Sequence, residues 1–248
     1  MPDLSFVIPA HNEERELAAT LRAIHEAAGP LGLAYEIVVA DDASTDQTRA
    51  IATAGGARVV GHERRQIAAT RNLGAKASVG RWLIFVDADT RVTPGAVREA
   101  VDALRNGAVG GGCTMRFDGV IPLWGRVVLP IFNFAFRIQR LTGGAFLFCT
   151  RHALDLVGGW DESVFASEEL ILAAALKTHG EFVIVQTPVI TSGRKLRTHS
   201  GLEVTWLLLK ALFMRHRLVT DRKHLDLWYA PRRPDPNHPD VKPGGSPQ

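Results

Sequence analysis

Short apolar runs alternate with helical patterns through the first hundred residues of the chain. Each run has four to six residues, and apolar side chains recur at helical spacing in the segments between them. Because strands that are apolar along their whole length must be covered on both faces, the alternation predicts an α/β fold with a Rossmann-like, mostly parallel sheet flanked by helices. The runs are Leu4–Ile8, Tyr35–Ala40, Ala57–Val60 and Trp82–Val86.

Polar residues mark the expected helix starts between these runs. Asn12 is expected to cap the first helix, Ser44 begins the pattern of a capping box for the second, and Thr93 before Pro94 opens the helix after the fourth run. Later in the chain, Phe182–Val185 is expected to be a short strand.

Composition excludes several other classes of protein. The 248 residues are 46% hydrophobic and 22% charged, which suits one packed core and argues against a disordered, collagen-like or coiled-coil chain. Basic residues are concentrated in residues 191–233, where 10 Lys and Arg stand against 3 Asp and Glu. There they flank an apolar stretch, whereas nucleic-acid binders usually spread them along a face with interleaved aromatics. We therefore expect no nucleic-acid partner, and a membrane surface or an anionic substrate instead.

We predict three regions along the chain. Residues 1–190 form the folded core, residues 191–230 a basic and apolar extension, and residues 231–248 a flexible tail that holds six of the 13 prolines. Within the extension, residues 202–218 either lie on a bilayer surface or pack as a helix on the sheet. The amino terminus lacks the pattern of a signal peptide, so the expected location is the cytoplasm, with possible peripheral contact at the inner face of the cell membrane.

The second half of the core, on the expected acceptor side, is less regular than the first. Residues 120–138 are apolar but are broken by Pro122, Arg126, Pro130 and Arg137, so they do not form a spanning helix. They either cover the sheet or lie on a bilayer surface.

Acidic pairs follow two of the predicted strands. Asp41 and Asp42 end the second strand, and Asp87 and Asp89 follow the fourth, at the sheet edge where α/β proteins bind ligands. On an extended segment Asp87 and Asp89 would point to the same side, and two carboxylates beside substrate phosphates suit Mn²⁺ or Mg²⁺. Alternatively, these aspartates are solvated turn residues or complement a helix dipole. Dinucleotide-binding and P-loop glycine patterns are absent from the sequence.

Six segments, in order, resemble the family 2 glycosyltransferases. The resemblance covers about residues 4–190 and implies a GT-A fold, a nucleotide-sugar donor, a divalent metal and usually inversion at the anomeric carbon. The segments are LSFVIPAHN (4–12), EIVVADDASTDQT (36–48), ATRNLGAK (69–76), LIFVDADT (83–90), TGGAFLF (142–148) and VGGWDESVFASEELIL (157–172).

The resemblance implies a donor site at the strand ends. His11, which stands where the family often has Tyr, would border the nucleobase with Pro9, and Asp42 would read the base, often uracil. Asp87 would lie near ribose or sugar hydroxyls, and Asp89 would reach the metal, with Asp87 as a second ligand. Arg71 would approach the base or diphosphate, or is simply a surface helix residue. The implied donor-binding residues are Pro9, Ala10, His11, Glu13, Asp42, Arg71, Asp87 and Ala88.

A carboxylate must take the acceptor proton in an inverting transfer. In the family the base is typically the Asp of a Glu-Asp pair, and Glu169 stands there, one methylene longer; Glu168 and Asp161 are the other candidates. The alternative is that Ser167 caps a helix and the two glutamates complement its dipole. The implied acceptor-side residues are Gly143, Gly144 and Trp160, although Trp160 could instead belong to the core.

The sequence therefore predicts a metal-dependent, inverting glycosyltransferase that uses a nucleoside-diphosphate sugar, with a UDP-sugar favoured. The acceptor is a glycan, a lipid or a small molecule. Two alternatives stay open: a non-catalytic nucleotide-binding or partner module, which Glu169 in place of Asp supports, and a sugar nucleotidyltransferase, which the non-glycine loop after the first strand disfavours. Late in the chain, Arg194, Lys195 and Arg197 either close over the diphosphate or meet lipid headgroups, and His199 either reaches the metal or lies on the surface.

Overall fold

The computed structural model describes residues 2–198, which form an eight-stranded sheet with helices on both faces. The predicted segment 202–218, the tail 231–248 and His199 lie outside the described residues. The strands are β1 Leu4–Ala10, β2 Tyr35–Asp42, β3 Arg58–His62, β4 Trp82–Val86, β5 Thr90–Arg91, β6 Gly110–Phe117, β7 Phe146–Thr150 and β8 Phe182–Thr191. The helices are α1 Leu17–Ala28, α2 Thr48–Ala54, α3 Ile67–Ala77, α4 Pro94–Arg105, α5 Leu123–Ile138, α6 Arg151–Leu156, α7 Glu168–Lys177 and α8 Arg194–Thr198, with a 3₁₀ turn at Gly29–Leu31.

The strand order is β3-β2-β1-β4-β7-β6-β8-β5. Strands β1 to β4 are parallel to one another, as are β6 and β8, while β7 is antiparallel to both of its neighbours and β5 is antiparallel to β8. The predicted α/β fold with a mostly parallel sheet is confirmed, and the reversal occurs at β7. Since β1, β2 and β4 run in the same direction, their carboxyl ends bring the predicted acidic residues to one edge.

Two apolar layers cover the sheet. On one face, α1 and α4 pack on side chains of β1 and β4 such as Phe6 and Ile84. On the other face, α3, α6 and α7 pack on side chains such as Val7 and Phe85. Every residue of β1 and β4 is buried, which is why Ser5 is their only polar residue and why both strands were recognisable in the sequence.

The first helix begins later than expected. Asn12, expected to cap it, has a positive φ of 53° and lies five residues before Leu17. Its backbone N–H donates to Ser44 Oγ (2.9 Å), and its side-chain oxygen accepts from Thr45 N–H (2.8 Å). Asn12 therefore ties the loop after β1 to the loop after β2. Ser44 does not cap α2, although the sequence pattern predicted that it would, because α2 begins only at Thr48 and Gln47 occupies the position before it.

Of two later elements, α4 begins as the sequence predicts, and β8 is longer than predicted. Thr93 caps α4, as predicted, by accepting a hydrogen bond from Ala96 N–H (3.3 Å). β8, expected to be short, continues to Thr191 because its second half pairs with β5 and the end of β6. In the part of the chain that is described, no helix combines the length and apolar character needed to cross a bilayer.

Candidate functional site

Arg71, on α3, is the centre of the acidic strand edge. Its side chain is 1% exposed, and its Nη1 donates to Glu168 Oε1 (2.6 Å) while its Nη2 donates to Asp87 Oδ1 (2.9 Å) and to Gly144 O (3.3 Å). Burial alone would lower the pKa of Arg71, but the Asp87 and Glu168 carboxylates outweigh it and raise that pKa. The alternative of a surface arginine is wrong. Arg71 joins the strand edge to α7 and to the loop before β7.

The two glutamates that begin α7 have different environments. Glu168 is buried and paired with Arg71, whereas Glu169 is partly exposed, and within residues 2–198 its carboxylate has no ion-pair partner and hydrogen-bonds only to its own backbone N–H. Partial burial and the neighbouring charge of Glu168 raise the pKa of Glu169 to about 8, although the more distant Arg71 charge opposes the shift. Ser167 has a left-handed φ of 62° and makes no side-chain capping bond, so the expected cap is absent. Because of this shift, the Glu169 carboxyl loses its proton only as pH rises toward about 8, and its deprotonated form could then accept a proton.

Asp161 and Trp160 are less suited to the roles implied for them. Asp161 Oδ1 accepts from Ser163 N–H (2.8 Å), and its hydrogen bonds to Ser163 lower its pKa, which makes it a weak base. Trp160 is 2% exposed and packs edge-on against Phe85, with the Arg71 guanidinium 4.4 Å from its ring centre. The proposed acceptor contact for Trp160 is therefore wrong, and this side chain belongs to the core beneath Arg71.

Asp87 and Asp89 lie in a turn rather than on an extended segment. Thr90 N–H donates to Asp87 O (3.0 Å) and closes the turn, so the extended backbone on which the predicted alignment of the two side chains rested is absent. The Asp87 carboxylate contacts Arg71, and Asp89 Oδ2 is 4.0 Å from Arg194 Nη2. Both carboxylates keep some solvent exposure, at 30% and 20%. They present hard oxygen ligands at the sheet edge, which suits Mn²⁺ or Mg²⁺.

Within the described residues, no group of three or more His, Cys, Asp or Glu side chains could hold a metal by itself. A site of two aspartates agrees with the usual binding of Mg²⁺, where one or two carboxylates act together with substrate phosphates and water. The residues present therefore fit a metal that binds with its substrate.

Asp42 is tied to the start of α3. Its carboxylate accepts from the backbone N–H of Arg65 (2.8 Å) and Gln66 (2.9 Å) and from Thr70 Oγ1 (3.0 Å). His11 lies beside it, with Nδ1 2.7 Å from Asp42 O, and Arg65 Nη1 contacts the His11 ring. The structure thus brings His11 and Asp42 together, as expected of a shared subsite, and adds Arg65, which no sequence signal indicated.

The other implied donor residues contribute mainly through the backbone. Pro9 and Ala10 are buried in β1, opposite Ala40 and Asp41. Ala88 is 3% exposed, and its carbonyl accepts from Thr20 Oγ1 (2.8 Å). Glu13 N–H donates to Thr48 Oγ1 (2.7 Å), which holds the loop after β1 against α2.

Gly143 and Gly144 form the loop that precedes β7. A Cβ at Gly144 would lie 2.7 Å from Arg71 Nη2, and one at Gly143 would lie 2.7 Å from Met115 Cε. A side chain at Gly144 would displace the hydrogen-bonded Arg71 guanidinium, whereas at Gly143 the flexible end of Met115 could move aside. The loop touches the site through Arg71, and its role on the acceptor side stays a prediction.

Asp118, at the end of β6, organises the last described helix and had no recognisable sequence signal. It accepts from Gly193 N–H (2.9 Å) and from Arg197 Nη1 (3.3 Å), and it contacts Arg91. Arg197 is 5% exposed and belongs to this network. Among the late basic side chains that the structure describes, Arg194 and Arg197, Arg194 is the one that lies near a predicted metal ligand, Asp89.

A sheet of this topology, with acidic residues at the carboxyl ends of β2 and β4 and a paired glutamate on α7, defines a glycosyltransferase of the GT-A type. The chain belongs to glycosyl transferase family 2, whose model matches residues 5–154, more than half of the sequence.

Named relatives and solved structures agree with this membership. The succinoglycan biosynthesis protein ExoO of Rhizobium meliloti (strain 1021) is 30% identical over 206 residues, which cover 78% of this chain and 58% of that protein. The chain thus spans less than two thirds of that relative. The mannosyltransferase PcManGT from Pyrobaculum calidifontis, in complex with GDP-Man and Mn²⁺, superposes with a TM-score of 0.65 at 20% identity over 86% of this chain and 62% of that chain.

Glucosyl-3-phosphoglycerate synthase from Mycobacterium tuberculosis, in complex with Mn²⁺, UDP and glucosyl-3-phosphoglycerate, superposes with a TM-score of 0.59 at 20% identity. The match covers 89% of this chain and 82% of that chain. At these identities the structural matches establish the fold.

Proposed function

We propose that this chain transfers a sugar from a nucleoside-diphosphate sugar to a hydroxyl acceptor, with inversion and with Glu169 as the base. The observation that carries the proposal is the contrast between Glu168, held by Arg71, and Glu169, which is partly exposed with its pKa raised to about 8. A general base works best when its pKa lies near the operating pH. Family membership supports the reaction class.

In the proposed step, the acceptor hydroxyl oxygen attacks the anomeric carbon as the bond from that carbon to the diphosphate oxygen breaks. The hydroxyl proton passes to the Glu169 carboxylate, and the nucleoside diphosphate leaves with the bonding electron pair. The transition state resembles an oxocarbenium ion, as in glycoside hydrolysis. Arg71 keeps Glu168 and Asp87 fixed while Glu169 changes its protonation state.

Asp89 and Asp87 would hold the divalent metal, which stabilises negative charge on the leaving diphosphate when bound. Arg194, 4.0 Å from Asp89, stands where a second positive charge could meet the same phosphates. The Mn²⁺ in the complexes of PcManGT and glucosyl-3-phosphoglycerate synthase supports a divalent metal, either Mn²⁺ or Mg²⁺, for this chain.

The nucleobase subsite would be formed by His11, Arg65 and Asp42, and the contact between Arg65 and the His11 ring would open to admit the base. The carboxylate of Asp42 already accepts hydrogen bonds from α3, so base recognition by Asp42 would exchange one of these bonds for a bond to the base. We favour a UDP-sugar, for which the UDP complex of glucosyl-3-phosphoglycerate synthase is support, while the GDP-Man complex of PcManGT makes a guanosine donor the first alternative.

The acceptor would enter beside Gly143, Gly144 and Glu169. ExoO, named for succinoglycan biosynthesis, supports a glycan, and the glucosyl-3-phosphoglycerate of the synthase complex supports a small molecule. We place the reaction on the cytoplasmic side of the cell membrane.

Thermal unfolding with UDP, GDP, dTDP and CMP, each with and without Mn²⁺, tests the donor site. A ligand at about 100 times its Kd adds about 2.7 kcal/mol, which for a chain of this size raises Tm by about 5–10 °C. A rise that depends on Mn²⁺ and is lost in Asp89→Asn supports the site, and the same rise in Glu181→Gln, an exposed glutamate, provides the control. If no nucleotide raises the Tm of the folded protein, the proposal of a nucleotide-sugar donor site is wrong.

A further inference from the structure

The solvent-exposed side of helix α5 carries large apolar side chains, where a surface helix usually has polar ones. Leu123, Phe134 and Ile138 are 77%, 66% and 67% exposed, and Val120, just before the helix, is 75% exposed. These four are the most exposed large apolar side chains in the described part of the chain. A stripe of this kind on a folded protein marks a contact surface.

The exposed positions follow the period of the helix. Leu123, Arg126, Pro130, Phe134 and Ile138 are spaced three or four residues apart, so they share one side of α5, over about 22 Å. We call this set the α5 stripe. Other sides of α5 face the protein, because Gly125 is buried and Asn133, which flanks the stripe, donates from Nδ2 to Met115 O of β6 (3.1 Å).

The segment that contains the α5 stripe is basic. Residues 119–150 contain three arginines and no acidic residue, and both Arg126 and Arg140 are exposed. Exposed apolar side chains bordered by arginines are the pattern of a helix that lies in the headgroup region of an anionic bilayer.

Charge distinguishes the bilayer from two other occupants. A second copy of this chain, docked by twofold symmetry, would bring the arginines of one α5 against those of the other. Residues 191–233 are themselves basic, with 10 Lys and Arg against 3 Asp and Glu, so they would meet a surface of their own sign. An anionic bilayer complements both the α5 stripe and residues 191–233.

We propose that the α5 stripe is the surface by which this protein docks on an anionic membrane. Because α5 lies over the end of β6 and runs directly into the loop that contacts Arg71 through Gly144, docking would hold the acceptor side of the site at the bilayer. The proposal does not depend on the transfer reaction, since binding to lipid is measured without a donor.

Vesicle sedimentation tests the proposal with the full chain. We expect binding to vesicles that contain phosphatidylglycerol and weaker binding to phosphatidylcholine alone. Replacing Leu123, Phe134 and Ile138 by Ser should lower the partition coefficient at least about tenfold, because each would otherwise bury apolar surface in the lipid. The matched control replaces Val79 and Leu156, which are 54% and 55% exposed elsewhere, by Ser and should bind like the wild type.

A second pair of substitutions, Arg126→Glu with Arg140→Glu, tests the charge. Both side chains are exposed, so the fold should be kept, as a thermal unfolding curve would verify, while the preference for anionic vesicles should fall at least about fivefold. Absence of wild-type binding, or equal binding by the wild type and the serine variant, overturns the proposal. A concentration-dependent dimer that only the serine variant loses, with vesicle binding unchanged, would assign the α5 stripe to a second copy instead.

Discussion

Glu168 and Glu169 are adjacent at the start of α7, but their carboxylates have very different electrostatic environments. Glu168 is neutralised by a buried guanidinium, while Glu169 receives the repulsion of Glu168 without an ion-pair partner of its own among residues 2–198. The charge of Glu168 therefore helps to tune the pKa of its neighbour. We propose that this glutamate, one methylene longer than the aspartate usual in the family, is the proton acceptor of the transfer reaction.

Glu169→Gln should lower kcat by about 10²–10⁴, the usual range for loss of a general base, with donor binding retained. The wild-type rate should rise with pH up to about pH 8, because Glu169 must lose its proton to act. Steady-state transfer assays across pH, together with nucleotide-dependent Tm shifts, measure both effects. An unchanged kcat in the variant would remove Glu169 as the base, and a similar loss in Asp161→Asn would point to Asp161.

Arg71→Met should destabilise the fold by about 3–5 kcal/mol, because it leaves the buried Glu168 carboxylate without its partner. Urea unfolding measures the change. The matched control is Arg64→Gln: Arg64 pairs with Glu162 at the surface with 64% exposure, and its loss should cost less than about 1 kcal/mol. Equal effects of the two substitutions would contradict the buried role of Arg71.

At the scale of elements, β6 packs closely between β7 and β8 because it begins with three successive glycines, Gly110, Gly111 and Gly112. A Cβ at Gly111 would be 2.2 Å from Val183 O and 2.3 Å from Phe148 Cζ. The first of these is backbone, which cannot turn away, so the close approach of β6 to its neighbours depends on the missing side chain.

Gly111→Ala should therefore lower the free energy of unfolding by about 1–3 kcal/mol, as overpacking does elsewhere. Gly29→Ala is its control, since a Cβ there meets nothing within 4 Å and φ is −50°. We expect Gly29→Ala to be neutral or to stabilise by up to about 1 kcal/mol, by restricting the unfolded chain. Denaturant unfolding of both variants measures these changes. A Gly111→Ala variant with an unchanged free energy of unfolding would contradict the packing described for β6.

Elements of the first hundred residues were predictable from the sequence because their signals are local. The apolar run Trp82–Val86 is β4 to the residue, and Thr93 caps α4 as its position before Pro94 suggested. The antiparallel direction of β7 was not predictable, since strand direction is decided by pairing with β4 and β6 and leaves no mark in a five-residue apolar run.

The candidate site was likewise predictable where its signals are local in the sequence, and not where it depends on contacts between distant residues. The strand ends indicated where Asp42, Asp87 and Asp89 would gather, because parallel strands share a carboxyl edge. The ion pair between Arg71 and Glu168 joins residues 97 positions apart, and neither flanking sequence indicates the other. Their contact depends on α3 and α7 packing on the same face of the sheet.

At the scale of the whole molecule, the raised pKa of Glu169 links folding to pH. Between the ordinary glutamate value of 4.5 and about 8, the folded chain keeps a proton at Glu169 that the unfolded chain releases. The free energy of unfolding should therefore fall as pH rises through this window.

Glu169→Gln should abolish this dependence and be more stable than the wild type by more than about 1 kcal/mol at about pH 9, with little difference at about pH 5. Urea unfolding of both proteins at the two pH values measures the effect, with Glu181→Gln as the control. The same difference at both pH values would show that Glu169 does not carry a raised pKa. The expected gain in stability with loss of turnover means that the protein is less stable than it could be at its working pH.

The contacts of Arg71 also constrain how the sequence can evolve. This one side chain is bonded to Asp87 in the first half of the chain and to Gly144 and Glu168 in the second. A mutation at any of the four positions leaves a buried charge unmatched or a close contact overfilled, so drift at one is tolerated only with change at the others. We expect the four positions to covary among descendants of a common ancestor, with lineages that lose the arginine also losing the Glu168 carboxylate.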